Sequence, residues 1–227
     1  MATTVAGQGS SAIAAAPARY NGDTYQGITL VLNAGATTTE IALVDIPEHL
    51  HDLRYSDFTL HSFPYAGDAL DQDIILQLIL SESAYLATDI CPQPEDMPQP
   101  GEPDVALRHR VRHRLQGSAF GQTLMEIAAH LKVVLQYQER YAFDLGEKSR
   151  AVTRQELERW VLVPFVQRLN RELNALLSYT RVPVQAIDRA IVLAAMPPGS
   201  DRPLAAAEAS QRHHLARYLL HQRPRPW

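Results

Sequence analysis

Leu32-Asn33-Ala34-Gly35-Ala36-Thr37-Thr38-Thr39-Glu40-Ile41 is the stretch on which the fold turns. An apolar, β-rich run, residues 28–32, leads into it, and a second, residues 40–46, continues from it until Pro47. Two such runs joined by a few small residues predict a β-hairpin. Small residues also let backbone N–H groups converge on one point. Such a nest suits phosphate, and the Thr37 and Thr38 hydroxyls would add donors. A plain turn that needs small residues for its own sake accounts for the same letters.

Outward from the hairpin, residues 58–63 read as a third strand. From Gly67 to Glu82 the period changes: Leu70, Ile74 and Leu78, with Ile75 and Ile79 between them, form a helical stripe. Asp68 and Asp71 fall in its first turn, where the helix dipole favours negative charge. Between Cys91 and Asp104 stand Pro92, Pro94, Pro98, Pro100 and Pro103, which predict an exposed, variable loop. Residues 105–138 are expected to be helical, broken near 117–121. Alternation at Tyr141, Phe143 and Leu145 predicts a strand. Thr153 and Glu156 form a capping box that opens a long helix, to about Ser178, with Pro164 kinking or splitting it. Residues 190–195 are wholly apolar, as in a strand covered on both faces. A last helix is expected over 205–222. The order is that of a mixed α/β protein.

The quoted hairpin resembles the second phosphate-binding hairpin of DnaK-type heat-shock chaperones and their actin-like relatives, Asp-Leu-Gly-Gly-Gly-Thr-Phe-Asp-Val. Asn33 falls at the first Asp, Gly35 and Thr38 keep their residue types, and Glu40 replaces the second Asp. Further on, Ala66-Gly67-Asp68-Ala69-Leu70-Asp71 is similar to the family's Gly-Gly-Glu-Asp-Phe-Asp, where a helix begins beside the nucleotide. The run Leu124-Met125-Glu126-Ile127-Ala128-Ala129-His130-Leu131-Lys132-Val133-Val134-Leu135 resembles Leu-Lys-Glu-Ala-Ala-Glu-Lys-Ala-Lys-Ile-Glu-Leu. Thr153-Arg154-Gln155-Glu156-Leu157-Glu158 resembles Thr-Arg-Ala-Lys-Phe-Glu. Ile187-Asp188-Arg189-Ala190-Ile191-Val192-Leu193-Ala194-Ala195-Met196 resembles the strand and adenosine loop Ile-Asp-Glu-Val-Ile-Leu-Val-Gly-Gly-Gln. The matches occur in family order over roughly residues 11–198.

The resemblance implies the C-terminal lobe of an actin-like ATPase domain, a ribonuclease H-like mixed sheet flanked by helices with a helical subdomain. Residues 1–22, rich in Ala, Gly, Ser and Thr, read as a flexible lead-in with a short helix near 11–15. Residues 23–200 are the lobe, with the Pro-rich loop at 91–104 and a helical insert at 105–180. Residues 201–227 are a C-terminal helix and tail. The resemblance implies a nucleotide site for ATP or ADP with Mg²⁺ at Gly35, Ala36, Thr37, Thr38, Gly67, Asp68, Lys132, Gln136, Ala194, Ala195 and Met196, with no catalytic residue.

The departures are as specific as the matches. Ala194 and Ala195 replace two glycines that let the backbone pass close to adenosine, and each methyl crowds that approach. Pro198 stands where an arginine stacks on adenine, Ala129 where a glutamate holds the ribose, and Gln136 where a serine follows the conserved leucine. Lys132 remains, suited to a ribose hydroxyl. The family's first lobe, with its phosphate loop and catalytic lysine, has no counterpart here, and phosphoryl transfer depends on such positioning. The expectation is a nucleotide-binding module that does not hydrolyse ATP alone. The alternative is a non-enzymatic interaction module that keeps the fold without nucleotide. Either way, the face toward the missing lobe is expected to be apolar and to meet a protein partner or a second copy.

Other features point elsewhere. Arg108-His109-Arg110-Val111-Arg112-His113-Arg114 reads as a solvated helix face, with an acidic partner or RNA backbone as the functional alternative. His109 and His113 share a helix face, but no carboxylate or cysteine joins them, so no metal site is expected. His213 and His214 read as surface residues, and Trp160 and Phe165 as core. The net charge of −4 gives no global attraction to nucleic acid or acidic lipid. No apolar run reaches the roughly 18 residues of a membrane span. With a lone Cys91 and no signal-like N-terminus, a reducing cytoplasm is the expected setting.

Overall fold

The structure is a computed structural model that describes residues 26–81, 90, 96–146 and 148–194. The expected lead-in with its short helix, the last helix at 205–222, Ala195, Met196, Pro198, Cys91, His213 and His214 lie outside the described residues. The chain divides into two compact units. One is a sheet unit, with described residues 26–35, 39–62 and 172–194. The other is a helical unit of residues 36–38 and the described part of 63–171.

The sheet unit holds β1 (Gly27–Ala34), β2 (Thr39–Ile46) and β3 (Phe58–Phe63, its last residue grouping with the helical unit) together with β6 (Ile187–Ala194). Their order is β3-β2-β1-β6. β1 and β2 pair antiparallel, from Gly27 opposite Ile46 to Ala34 opposite Thr39, so four residues close the predicted hairpin. β6 runs parallel to β1, with Ala34 opposite Ala194. The sheet is therefore mixed, as expected. Val31, Ala42, Val44, Ile46 and Ile191 form one apolar cluster with Leu53, Phe58 and Leu193 against it. The residues between them in the strands, Leu30, Leu32, Ile41 and Leu43, are buried too. Successive side chains alternate faces, so both faces of the hairpin are covered. β6 departs from expectation: it is an edge strand of the described sheet, and Ala190 is exposed. At the start of the sheet Gly27 takes a φ of +116°, and an added Cβ would lie 2.2 Å from an Asp188 carboxylate oxygen. That carboxylate accepts the Ile28 N–H at 2.9 Å.

The helical unit opens with α1 (Gly67–Ile74), which widens into a π-helical turn (Ile75–Ile79) closed by the Leu80 N–H on the Ile75 carbonyl at 2.8 Å. α2 (Val105–Gln116) starts on Asp104, whose side chain accepts from the Leu107 N–H at 3.0 Å. α3 (Ala119–Val134) starts on Ser118 in the same way, through the Gly121 N–H at 3.0 Å. The predicted break falls at Gly117 and Ser118, between α2 and α3. Gly121 is required just beyond it: a Cβ would stand 2.1 Å from the Leu115 carbonyl oxygen and 2.6 Å from its Cα.

β4 (Arg140–Leu145) pairs antiparallel with β5 (Lys148–Thr153), a strand the sequence does not announce. Thr153 and Glu156 then make the predicted capping box at α4 (Arg154–Leu157), each side chain bonded to the other's backbone N–H, at 3.2 and 2.8 Å. A second π-helical turn (Glu158–Leu162) precedes α5 (Val163–Thr180). The expected break at Pro164 is thus a change of helical register just before a proline that has no N–H to donate.

One apolar cluster joins α1, α2, α3, β4, β5, α4 and the two π-helical turns, including Ile74, Ile79, Val111, Leu115, Leu124, Leu131, Phe143 and Val161. α1 shares this cluster with α2 and α3 and belongs to the same compact unit. Trp160 is not in it: the indole is 48% exposed, with the Arg159 guanidinium 4.9 Å above its ring. Phe165 is half-buried, its ring stacked on Tyr65.

Gly121→Ala is expected to lower stability by about 2 kcal/mol through overpacking against backbone. Gly146→Ala, at φ +65° with nothing within 4 Å, is expected to cost about 1 kcal/mol from backbone strain alone. Urea denaturation of both variants reads the difference.

Candidate functional site

In the sheet unit the hairpin brings Asn33 opposite Glu40, and the Asn33 amide donates to the Glu40 carboxylate at 3.0 Å. The two residues aligned with the family's aspartates thus satisfy each other across the strands. Because β1 and β6 are parallel and in register at Ala34 and Ala194, their carboxyl ends lie side by side. In open α/β sheets ligands bind outside the carboxyl ends of the strands. Gly35, half-buried, follows β1 directly.

In the helical unit Ala36 and Thr37 are exposed and Thr38 half-buried, with the two threonine hydroxyls 3.4 Å apart. The Ala36 carbonyl accepts the Asp68 N–H at 2.7 Å, which seats the hairpin tip on the first turn of α1. Ala36 and Asp68, two of the expected site residues, meet through this bond within the helical unit. Positive φ among the described residues falls at Gly27, Gly101, Gly146 and Arg181, and not at residues 35–38. The tip is therefore not a nest of alternating right- and left-handed residues. What it offers an anion is a bend of backbone amides and two hydroxyls.

α1 carries Asp68 and Asp71 one turn apart, and each holds a cation from another helix. Arg112 of α2 lies 2.5 Å from Asp68, and Lys132 of α3 lies 2.7 Å from Asp71. Burial pushes the Asp71 carboxyl above the ordinary value; the Lys132 charge pulls it back and the Asp68 charge adds to the rise. Lys132, expected to meet a ribose hydroxyl, is occupied by a side chain of the same unit. Ala129 stands exposed one turn before it. Gln136 is exposed just beyond α3, its N–H on the Val133 carbonyl at 3.3 Å.

The basic run is not simply a solvated face. Arg108 is 5% exposed and sits on one helical stripe with buried Val111 and Leu115. Its guanidinium donates to Asp73 through both terminal nitrogens, at 3.0 and 3.4 Å. It also donates to the carbonyls of Glu102 at 2.7 Å, Ala69 at 3.2 Å and Gln99 at 3.0 Å. Five contacts match the five N–H donors of an arginine. Tyr65 donates its hydroxyl to Asp73 and accepts the Gly101 N–H at 3.1 Å. Burial, followed by the Asp73 charge, pushes that hydroxyl far up, so it remains a donor. Burial also pushes the Asp73 carboxyl up, while Arg108 and Tyr65 pull it down.

This node also corrects the Pro-rich loop. Residues 96–104 are irregular, as expected, but Pro98 and Gly101 are buried. Gly101 adopts φ +79°, and a Cβ there would meet the Pro164 carbonyl oxygen at 2.6 Å. The i, i+3, i+7 spacing of Arg108 with Val111 and Leu115, and an Asp73 inside the apolar stripe of α1, were the available signals. The density of arginines and histidines around Arg108 hid them.

His109 and His113 are exposed, and among the described residues no group of three or more His, Cys, Asp or Glu is placed to hold a metal ion. Among the described residues no helix is long and apolar enough to cross a membrane. Searches found no family model and no curated protein that matches the chain.

Arg108→Met strands a buried carboxylate and is expected to cost about 3–5 kcal/mol. Tyr65→Phe removes a bond to a charged group and is expected to cost about 1.5–3 kcal/mol. Arg110→Ala, on a half-exposed side chain 3.6 Å from Asp96, is expected to cost under about 1 kcal/mol. Chemical denaturation of the three variants checks the order.

Proposed function

We propose that this chain is a divergent nucleotide-binding module, similar to the second lobe of the actin-like ATPase domain of DnaK-type chaperones, that takes ADP or ATP and does not hydrolyse it alone. The observation that carries this reading is the parallel pairing of β1 with β6, in register at Ala34 and Ala194. It sets the end of the glycine-containing hairpin strand beside the end of the strand that resembles the one before the adenosine loop. These segments lie about 160 positions apart in sequence, and the resemblance requires them at one end of one sheet. The bond from the Asp68 N–H to the Ala36 carbonyl supports the same reading for the hairpin tip and the start of α1.

The chemistry favours binding over turnover. The half-buried Asp68 and Asp71 carboxylates of α1 are each held by a cation, and Glu40 is held by Asn33. Hard oxygen donors for Mg²⁺ are therefore engaged, so the ion would arrive as the counterion of the nucleotide phosphates. No residue of the hairpin is placed as a base or a phosphate-clamping lysine, and phosphoryl transfer needs such groups.

Titration calorimetry with Mg²⁺–ADP tests the proposal. Binding on the order of 0.1–1 mM is expected, equivalent to about −4 to −5.5 kcal/mol. Gly35→Val and Thr38→Ala are expected to weaken it. The second reading, an interaction module without nucleotide, gains from the engagement of Lys132 by Asp71. It predicts no heat with nucleotide, and association with a protein partner or a second copy detectable by analytical ultracentrifugation.

A further inference from the structure

Within the helical unit, two ion pairs stand like rungs along α1. Asp68 holds Arg112, and one turn further on Asp71 holds Lys132. The rung at Asp71 is the more enclosed, with side-chain exposures of 30% for Lys132 and 24% for Asp71. Asp68, at the near rung, is also the residue whose N–H seats the Ala36 carbonyl of the hairpin tip. Asp71, the partner of Lys132, therefore lies three residues along α1, roughly 4.5 Å of axial rise, from the residue that bonds the hairpin tip.

We infer that Asp71 is an internal competitor for Lys132, an autoinhibitory carboxylate that a nucleotide must displace before the ammonium can meet it. The inference rests on the nucleotide reading above and adds a restraint to it. Lysine has three N–H donors, so donor count alone would not make the two partners exclusive. Position and charge do: at 2.7 Å the carboxylate draws the flexible stem down onto α1 and neutralises the charge a ligand oxygen would feel. Asp68 is no substitute resting place, because Arg112 already holds it. Among the described residues no second cation pairs with Asp71, so its charge stays on Lys132.

The test is Mg²⁺–ADP calorimetry on the full chain and on Asp71→Asn, Lys132→Met and the double variant, each first shown to melt cooperatively. Asp71→Ser is a second neutral replacement should Asp71→Asn not fold. Removing the competitor is expected to tighten binding about three- to fivefold, the ratio corresponding to a partly exposed ion pair. Lys132→Met is expected to weaken binding, and the double variant to match Lys132→Met, because the gain acts only through the lysine. Asp71→Glu, which keeps the competing charge, is expected to stay near the original affinity. Unchanged or weaker binding in the neutral variants, with the original chain still binding, would overturn the competition and leave the nucleotide reading standing. Absence of heat in the original chain and the neutral variants alike would overturn both.

Discussion

A buried arginine sets the terms for the helical unit. Arg108 carries a full charge into an interior where an unpaired charge costs several kcal/mol. It is tolerated because five donors find oxygens on two elements: α1, through the Ala69 carbonyl and the Asp73 carboxylate, and the segment 96–104, through the Gln99 and Glu102 carbonyls. Such a group is satisfied in one arrangement and penalised in others. The consequence is that α1, α2 and the irregular segment are held in mutual register by polar geometry as well as by apolar contact. Tyr65 reinforces this, bonded to the same carboxylate and to the Gly101 N–H while its ring stacks on Phe165. The first turn of α1, which seats the hairpin tip, is thereby fixed at its far end.

Much of the architecture is legible from residue order. The hairpin at 33–40, the interruption between α2 and α3, and the capping box at Thr153 and Glu156 each have a local cause. Local causes leave local signatures. What escapes is what depends on partners distant in sequence. β5 reads Lys-Ser-Arg-Ala-Val-Thr and has no alternating apolar pattern; it is a strand because β4 supplies its hydrogen bonds. Ala190 looks like an interior residue by its neighbours, yet it lies on an edge strand. Trp160 looks like core by size, but the π-helical turn around it leaves the indole in solvent. Arg108 shows the reverse: a charge that lists as surface but lies on the same stripe as Val111 and Leu115.

For the candidate site the division is similar. Within the sheet unit Ala34 pairs opposite Ala194, and within the helical unit the Asp68 N–H bonds to the Ala36 carbonyl, two contacts that no local pattern announces. Nothing in the sequence indicated how fully the polar groups there would be matched internally. Asn33 with Glu40, Asp68 with Arg112 and Asp71 with Lys132 are pairings that only three-dimensional placement reveals.

The most direct measurement is a residue-by-residue map of backbone amide shifts by NMR as Mg²⁺–ADP is added to the isotope-labelled chain. Shifts should concentrate at Gly35–Thr38 and at Gly67 and Asp68, saturating with a single affinity. Unmoved amides at those positions at saturating nucleotide, or shifts gathered instead on the arginine-rich face of α2, would contradict a nucleotide site at the hairpin.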